Sequence, residues 1–226
     1  MVKDKGLQLL FNNAGIGYFG PIEWLSEKHF RQTLEVNLWG HVNVTKAVLP
    51  MLKTAQGRII NTSSILGRVT LAYMSAYHIS KYGLEAFSDA LRLELKDWGV
   101  SVHIIEPGLM RTDLYRQGEE QMKNLWDQQS PEIQNAYGEN FFKTLMKRMN
   151  PSKTDKIATN PKHVIDAYVH AGLSTRPKLR YLIGVDAHIF AFSIGLLPTL
   201  IGDYIQTKMI RPIIPNGAAR SSSYGS

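Results

Sequence analysis

A tyrosine, a lysine and a serine stand at spacings that would suit a proton-transfer site. Tyr77 and Lys81 lie four residues apart in a segment that predicts a helix, Ser-Ala-Tyr-His-Ile-Ser-Lys. Residues four apart on a helix project from the same face, so the phenol and the ammonium would lie side by side. Ser64 closes a strand-like run, residues 57–64, in front of that helix. The three side chains could therefore meet where the strand ends.

In this arrangement Lys81 would make Tyr77 a better base. A free tyrosine has a pKa of about 10, so it is a reluctant base at neutral pH. An ammonium ~4 Å away, at an effective dielectric constant of ~20, would favour the phenolate by ~4 kcal/mol, or about three pKa units. Ser64 Oγ could hydrogen-bond the reacting oxygen and stabilise charge on it. Each residue also has an ordinary interpretation: an aromatic packed under a solvated lysine, and a serine in a turn.

The surrounding pattern predicts an α/β fold that would position these side chains. Strands are expected near residues 7–13, 57–63, 101–106 and 180–184, helices near 26–53 and 74–98, and several more helices between 114 and 172. Strands that alternate with helices of this length favour a mostly parallel sheet with helices on both faces. Leu84, Phe87, Leu91 and Leu95 recur at helical spacing after Tyr77, which indicates core packing.

Two further segments indicate a family. Asn12-Asn13-Ala14-Gly15 follows an apolar strand, and Ile105-Glu106-Pro107-Gly108 leads to Thr112 after another. With the serine, tyrosine and lysine, these segments closely resemble the short-chain dehydrogenase/reductases, over residues 7–114. Residues 80–89 and 105–112 are similar to the branch of retinol and hydroxysteroid dehydrogenases. The resemblance implies a Rossmann-like, doubly wound parallel sheet and an enzyme that uses NAD or NADP.

The resemblance also implies roles for individual residues. Tyr77 would accept or donate the proton, Lys81 would tune it and contact the cofactor ribose, and Ser64 would orient the reacting oxygen. Asn37 matches the fourth catalytic position, which holds a water in the proton relay; on its own it reads as a helix-surface amide. The cofactor would contact a larger set: Asn13, Ala14, Gly15, Tyr77, Lys81, Pro107, Gly108 and Thr112. Pro107-Gly108 also suits an ordinary turn at a strand end.

One glycine motif is rejected as a dinucleotide fingerprint. Gly15, Gly17 and Gly20 fit the G-x-G-x-x-G pattern after a strand. Pro21 would disrupt the helix that should receive the pyrophosphate. Glu35, the candidate ribose carboxylate, falls inside a predicted helix rather than after a second strand. We therefore predict that this segment is a loop after the family's fourth strand.

The Gly-rich phosphate loop of the family has no counterpart in the sequence. Residues 1–6 precede the first strand, so the chain is expected to start at the family's fourth strand, without three strands and their helices. At ~30 residues for each strand–helix–strand unit, that part would be about 70–80 residues. The family's first strand pairs with the fourth, so residues 7–11 would become an exposed apolar edge. We accordingly expect weak cofactor binding and marginal stability.

Composition limits the other classes of function. The chain has no cysteine, which excludes disulfides and thiol catalysis, and its seven histidines show no paired spacing for a metal. The net charge is +7, with many of the basic residues between 143 and 180. These positions show little aromatic interleaving, so we expect no nucleic-acid partner. A solvated basic face is the simplest interpretation, and attraction to anionic lipid headgroups is the alternative.

The C-terminal region predicts a cap. Residues 189–201 are apolar but too short to span a bilayer. This segment is interpreted either as core or as a lid that also makes peripheral membrane contact. We expect one incomplete cofactor-binding domain over residues 1–214, with a substrate cap at about 115–214, and a disordered tail at 215–226. Family resemblance implies an endoplasmic reticulum membrane location; otherwise the protein would be cytoplasmic.

The sequence therefore predicts an oxidoreductase that interconverts a hydrophobic alcohol, retinoid- or steroid-like, and its carbonyl. The alternative is a truncated, catalytically incompetent product that binds cofactor weakly or acts only by pairing with a full-length relative. Family members often dimerise through the helix after Tyr77, so a homodimer through the long helices stays open. NAD versus NADP, the substrate and the direction of reaction are left open by the sequence.

Overall fold

The computed structural model describes residues 6–149, 158–193 and 197–210. The four strands are β1 Leu9–Asn12, β2 Arg58–Thr62, β3 Ser101–Pro107 and β4 Arg180–Ile183. The α-helices are α1 Glu27–Leu34, α2 Gly40–Ala55, α3 Ser75–Glu94, α4 Asp113–Asp127, α5 Pro131–Tyr137, α6 Glu139–Met149, α7 Lys162–Leu173, α8 Val185–Ser193 and α9 Thr199–Ile210. All four predicted strands are confirmed.

The strands form one parallel sheet in the order β1-β2-β3-β4. One row of paired residues crosses the whole sheet, from Asn12 through Asn61 and Ile104 to Arg180. Because all strands run the same way, their carboxyl ends meet at a single edge. In open α/β sheets ligands bind at that edge.

Both faces of the sheet are buried under helices, as the prediction of a doubly covered sheet requires. Ile59 and Ile60, adjacent in β2, are fully buried on opposite faces, since side chains alternate along a strand. The face of Ile59 packs against α2 and α3, with Leu52, Leu91, Leu95, Val100 and Val102. The face of Ile60 packs against α7, with Ile105, Ala167, Ala171, Tyr181 and Ile183.

The predicted helix over residues 26–53 is interrupted. A π-helical segment, Glu35–Trp39, separates α1 from α2. The spacing of four between Phe30, Leu34, Leu38 and Val42 is equally compatible with an uninterrupted α-helix, so the apolar pattern does not predict this difference. Single π turns inside α-helices occur frequently at functional sites.

The rejected glycine motif lies in a loop, as predicted. After Gly20 the chain enters a short 3-10 turn, Ile22–Trp24, and α1 begins only at Glu27. Phe19, Trp24 and Leu25 from this loop are buried against α4 and α6, together with Tyr77. The loop therefore packs between the sheet edge and the helices of the expected cap.

Several expectations concern residues outside the described part. These are the disordered tail at 215–226, the start of the chain at 1–5, the basic residues Lys153 and Lys156, and residues 194–196 of the apolar segment. Among the described residues, no helix combines the length and apolar character needed to cross a bilayer.

Candidate active site

Three loops at the carboxyl edge of the sheet form the rim of the candidate site. Asn13–Gly15 follows β1, Ser63 and Ser64 follow β2, and Gly108–Thr112 follows β3. Ser64 Oγ donates to the Pro107 carbonyl at 3.3 Å and accepts from Leu66 N–H at 3.2 Å. The serine therefore links the ends of two neighbouring strands.

Tyr77 and Lys81 lie in the first two turns of α3, on the face toward the strand ends. Both are buried, with 8% and 3% of their surface exposed. Lys81 Nζ donates to the Thr62 carbonyl at 2.9 Å and lies 5.6 Å from the centre of the Tyr77 ring. The Ser64 side chain also acts on the Tyr77 phenol and lowers its pKa. The predicted serine, tyrosine and lysine thus come together.

Burial, rather than Lys81, controls the acidity of Tyr77. Burial raises the pKa of Tyr77 to about 12, and the hydrogen bond with Ser64 only partly opposes this. The expected decrease of about three pKa units is therefore wrong for this structure. Lys81 Nζ donates to the Thr62 carbonyl, and burial and Ser64 are the causes that shift the pKa of Tyr77. At neutral pH Tyr77 is a phenol and can donate a proton.

Lys81 itself is strongly affected by burial. Burial lowers its pKa to about 8, against a weaker opposing effect of the Glu85 charge. The neighbouring His41 is also buried, and burial together with Lys81 lowers the pKa of His41 to about 4. At neutral pH the site therefore contains a neutral imidazole beside a largely protonated lysine.

Asn37 is fully buried, so its interpretation as a surface amide is wrong. The π-helical turn directs its side chain to the loop after β1, where Oδ1 accepts from Ile16 N–H and Nδ2 donates to the Ile16 carbonyl, both at 2.8 Å. Nδ2 also donates to Ser80 Oγ at 3.0 Å. A Cβ on Gly15 would lie 3.6 Å from Asn37 Oδ1 and 3.7 Å from Lys81 Nζ. Asn37 thus supports the backbone beside the lysine.

These elements enclose a cavity of about 600 Å³. Ser64, Tyr77 and Lys81 line it, and so do five of the residues expected to bind cofactor: Asn13, Gly15, Pro107, Gly108 and Thr112. Ala14 is exposed and does not line it, and Asn37 lies behind Gly15. The rest of the wall is mostly apolar, including Phe19, Leu66, Leu71, Met74 and Ile165.

Asp186 lines the same cavity and was missed by the sequence analysis. Its Oδ2 accepts from Leu109 N–H at 2.6 Å, which fastens the loop after β3 to the start of α8. A Cβ on Gly108 would collide with this carboxylate. The signal available in the sequence was position: Asp186 comes three residues after the end of β4, at the edge where ligands bind.

A second missed contact fixes the loop after β1. The Tyr168 hydroxyl, from α7, donates to Asn13 Oδ1 at 2.6 Å and is also bonded to Thr62 Oγ1. Tyr168 is separated from Asn13 by 155 positions, and no local pattern connects them. Tyr168 therefore joins the loop after β1 to the end of β2.

Comparisons with known proteins agree with this geometry. A family model described as short chain dehydrogenase matches residues 2–123. The 17-beta-hydroxysteroid dehydrogenase type 6 of Homo sapiens is 42% identical over 92% of this chain and 66% of the relative. Retinol dehydrogenase 7 of Mus musculus is 42% identical over 89% of this chain and 64% of the relative. The chain thus spans slightly less than two thirds of the length of these relatives.

Solved structures support the fold. A short-chain dehydrogenase from Burkholderia cenocepacia in complex with NADP superposes with a TM-score of 0.65 at 23% identity, covering 90% of this chain and 73% of that one. One from Streptomyces avermitilis gives 0.63 at 24% identity, covering 91% and 70%. With the family match over more than half of the sequence, the fold and the relatives lead to one conclusion: the chain belongs to the short-chain dehydrogenase family.

Proposed function

We propose that the protein takes part in NAD(P)-dependent interconversion of a hydrophobic alcohol and its carbonyl compound. The observation that carries this proposal is the convergence of Ser64, Tyr77 and Lys81 on one apolar cavity at the carboxyl edge of the sheet. Each of the three has a hydrogen-bonding or charged group on the cavity wall. The names of the relatives support an alcohol or carbonyl substrate.

The residues present fit the nicotinamide end of such a cofactor. Gly15 leaves open space next to Lys81 Nζ, where a ribose hydroxyl could accept a hydrogen bond. Asn13, Pro107 and Thr112 border the same cavity. When bound, the cofactor supplies or accepts the hydride. We propose that these residues hold its nicotinamide and ribose and leave the apolar wall to the substrate.

The protonation states favour proton donation in the direction of carbonyl reduction. Tyr77 would donate its phenol proton to the substrate oxygen, because the pKa of about 12 keeps it protonated. Ser64 would turn its hydroxyl from the Pro107 carbonyl toward that oxygen and stabilise the developing charge. Lys81 would stabilise the resulting phenolate as an ammonium. In alcohol oxidation the same phenol would first have to lose its proton.

Asn37 is proposed to support the proton relay. Its Nδ2 hydrogens are used by Ile16 and Ser80, whereas Oδ1 accepts one bond and keeps a second acceptor position. Asn37 Oδ1 and Lys81 Nζ both lie beside Gly15, at 3.6 Å and 3.7 Å from the place that a Cβ on Gly15 would take. A water bound there would connect the lysine to solvent.

The decisive test is Tyr77→Phe in a turnover assay with NAD or NADP and either retinol or a hydroxysteroid. Loss of the phenol proton should reduce turnover by at least ~10²-fold while the circular dichroism spectrum stays unchanged. The matched control is Tyr82→Phe, which removes an exposed hydroxyl one turn further along α3. Full activity of the Tyr77 variant, beside an active wild type, would refute the role of Tyr77.

We also propose peripheral membrane contact through residues 189–201, in keeping with an endoplasmic reticulum location. Leu200 and Ile201 are 79% and 48% exposed at the start of α9. Replacing both by serine should lower co-sedimentation with phosphatidylcholine vesicles. Replacing Leu93, which is 66% exposed on α3, is the matched control. Equal sedimentation of all three proteins would contradict the proposal.

A further inference from the structure

A cluster of charges lies directly behind the active site. Arg180, the first residue of β4, contacts three carboxylates: Glu85 at 2.5 Å, Asp89 at 2.6 Å, and Glu106. Glu85 and Asp89 are one turn apart on α3, and Glu106 is in β3. The side chains of Glu85 and Glu106 are only 9% and 1% exposed. One guanidinium thus joins the helix to two strands of the sheet.

The cluster is connected to the active site through α3 and through β3. Glu85 follows Lys81 by one helical turn, so the two side chains leave α3 on the same face. Glu106 immediately precedes Pro107, whose carbonyl accepts the Ser64 hydrogen bond. The loop over α3 is tightly packed here, since a Cβ on Gly67 would lie 2.9 Å from both Glu85 Cγ and the Lys81 carbonyl.

Two more arginines reach the edges of the cluster. Arg68 Nη1 lies 3.5 Å from Glu106 Oε2, and Arg92 Nη2 lies 3.2 Å from Asp89 Oδ1. Three arginines thus face three carboxylates, and of these carboxylates Glu85 is the one that lies a single helical turn from Lys81. Burial and the nearby Glu106 raise the pKa of Glu85, whereas Ser63 and Arg180 oppose that increase.

The groups that face Lys81 from α2, from β2 and from Tyr77 on α3 carry no negative charge, and the carboxylate that lines the cavity with Lys81, Asp186, is bonded to Leu109 N–H. From α2, His41 is neutral at pH 7, because burial and Lys81 lower its pKa to about 4. On α3, Tyr77 is a phenol, and from β2 the Thr62 carbonyl accepts the lysine hydrogen bond. Glu85 Oε2 is bound to Arg180, and the Ser63 side chain also lowers the pKa of Glu85. The Glu85 charge acts on Lys81 through space and raises the pKa of the lysine, against the larger effect of burial.

We propose that Glu85, held by Arg180, is a positioning residue that keeps Lys81 in its ammonium form. The buried carboxylate supplies the negative charge that the interior around Lys81 otherwise lacks. Arg180 favours the ionised form of this carboxylate and fixes α3 to the strand whose end orients Ser64. The role of Glu85 rests on the proposed function only where the Lys81 ammonium is said to support turnover.

The test is the titration of Lys81 itself, in protein labelled with ¹³C at the lysine Cε atoms and followed by NMR from about pH 6 to about pH 10. Lys81→Arg identifies the Lys81 signal by its disappearance. In Glu85→Gln the Lys81 midpoint should fall by about half a pH unit or more, because the opposing charge is lost. This readout requires neither cofactor nor substrate, so it does not depend on whether the proposed activity is found.

Asp89→Asn is the matched control. It removes another carboxylate from Arg180, but one that is 41% exposed and a full turn further from Lys81. Its Lys81 midpoint should stay at the wild-type value, and Glu85→Asp should restore most of the shift. If Glu85→Gln does not fold, Glu85→Met is the second variant, since apolar replacement of a buried charged group is often tolerated. An unchanged midpoint in the folded variant, or an equal shift in Asp89→Asn, would overturn the proposal.

Turnover supplies a second readout. If the ammonium of Lys81 supports catalysis, the alkaline limb of kcat against pH should move to lower pH in Glu85→Gln by the amount measured in the NMR titration. Asp89→Asn should keep the wild-type limb. If the NMR midpoint of Lys81 shifts in Glu85→Gln but the alkaline limb of kcat does not, Glu85 still stabilises the ammonium of Lys81. The proposed role of that ammonium in turnover would then be refuted.

Discussion

Single buried side chains set the chemistry available to this protein. Burial raises the pKa of Tyr77 and lowers the pKa of Lys81, because a buried site disfavours the charged form of either residue. The tyrosine is therefore protonated at neutral pH, although it is a weaker acid than a free tyrosine, and the lysine is an ammonium that titrates near pH 8. Local spacing predicts that the two residues meet. Their acidity depends on how much protein surrounds them.

The depressed pKa of Lys81 makes a prediction about stability. The folded-state pKa is about 8 and the ordinary value is 10.5, so between these values the unfolded chain binds more protons. The free energy of unfolding should then rise with pH, by about 2 kcal/mol between pH 7 and pH 10 from this group alone. Lys81→Met should abolish this contribution. Urea unfolding of both proteins at several pH values measures it.

The control for this experiment is Lys46→Met, which removes an exposed lysine from α2. The difference in unfolding free energy between this variant and wild type should change little with pH. A difference for Lys81→Met that is equally flat would show that Lys81 titrates normally in the folded protein.

At the scale of elements, short connections hold the edge of the sheet in shape. The π-helical turn places Asn37 against the loop after β1, and Asp186 fastens the loop after β3 to α8. Gly108 is required because the Asp186 carboxylate occupies the space of a Cβ. The loops that border the cavity are thus fixed by residues that the chain supplies from elsewhere.

The contact between Gly108 and Asp186 predicts non-additive mutations. Gly108→Ala should destabilise the fold by about 1–3 kcal/mol, because the new methyl group overlaps the carboxylate. In an Asp186→Ala background, Gly108→Ala should lower the free energy of unfolding by at least ~1 kcal/mol less than it does in the wild-type protein. Urea unfolding of the two single variants and the double variant provides the coupling energy.

Asp166→Ala is the matched background, since Asp166 is an exposed carboxylate paired with Lys162 on α7. Gly108→Ala should have the same cost there as in wild type. Additive costs in the Asp186 background would show that the loop relaxes freely and that Asp186 does not constrain it.

The whole molecule is organised around one edge of a parallel sheet. β1 is the outermost strand of the described sheet, with Phe11 45% exposed. The cavity lies at the carboxyl ends of the strands and receives residues from the loops after β1, β2 and β3 and from the start of α8. Folding of the sheet and formation of the site are therefore one event, and a ligand of the cavity should stabilise the whole fold.

Titration with NADH and NADPH tests this coupling. A ligand that binds only the folded state adds about 2.7 kcal/mol at a hundredfold excess over Kd, so Tm should rise with concentration. Nicotinamide fluorescence should saturate over the same range. Gly15→Val, which places a branched side chain beside Lys81 Nζ, should remove both signals. Absence of binding to folded wild type would favour the interpretation of a catalytically incompetent product.

Much of this arrangement follows from the sequence alone, because it depends on local patterns. Alternation and helical spacing identify the four strands and the helix of Tyr77 and Lys81, and the strand-end segments identify the family. The rejection of the glycine motif is correct, because Pro21 restricts the backbone next to these glycines, where a short 3-10 turn follows instead of a helix. Where neighbours along the chain decide the outcome, the sequence is sufficient.

Only the tertiary structure decides the rest, because it depends on residues far apart in the chain. The burial that raises the pKa of Tyr77 comes from packing against the loop after β1 and against α4 and α6. Arg180 meets Glu85 across 95 positions, and Asp186 meets Leu109 across 77. Charge and burial act through space, so no spacing along the chain reports them.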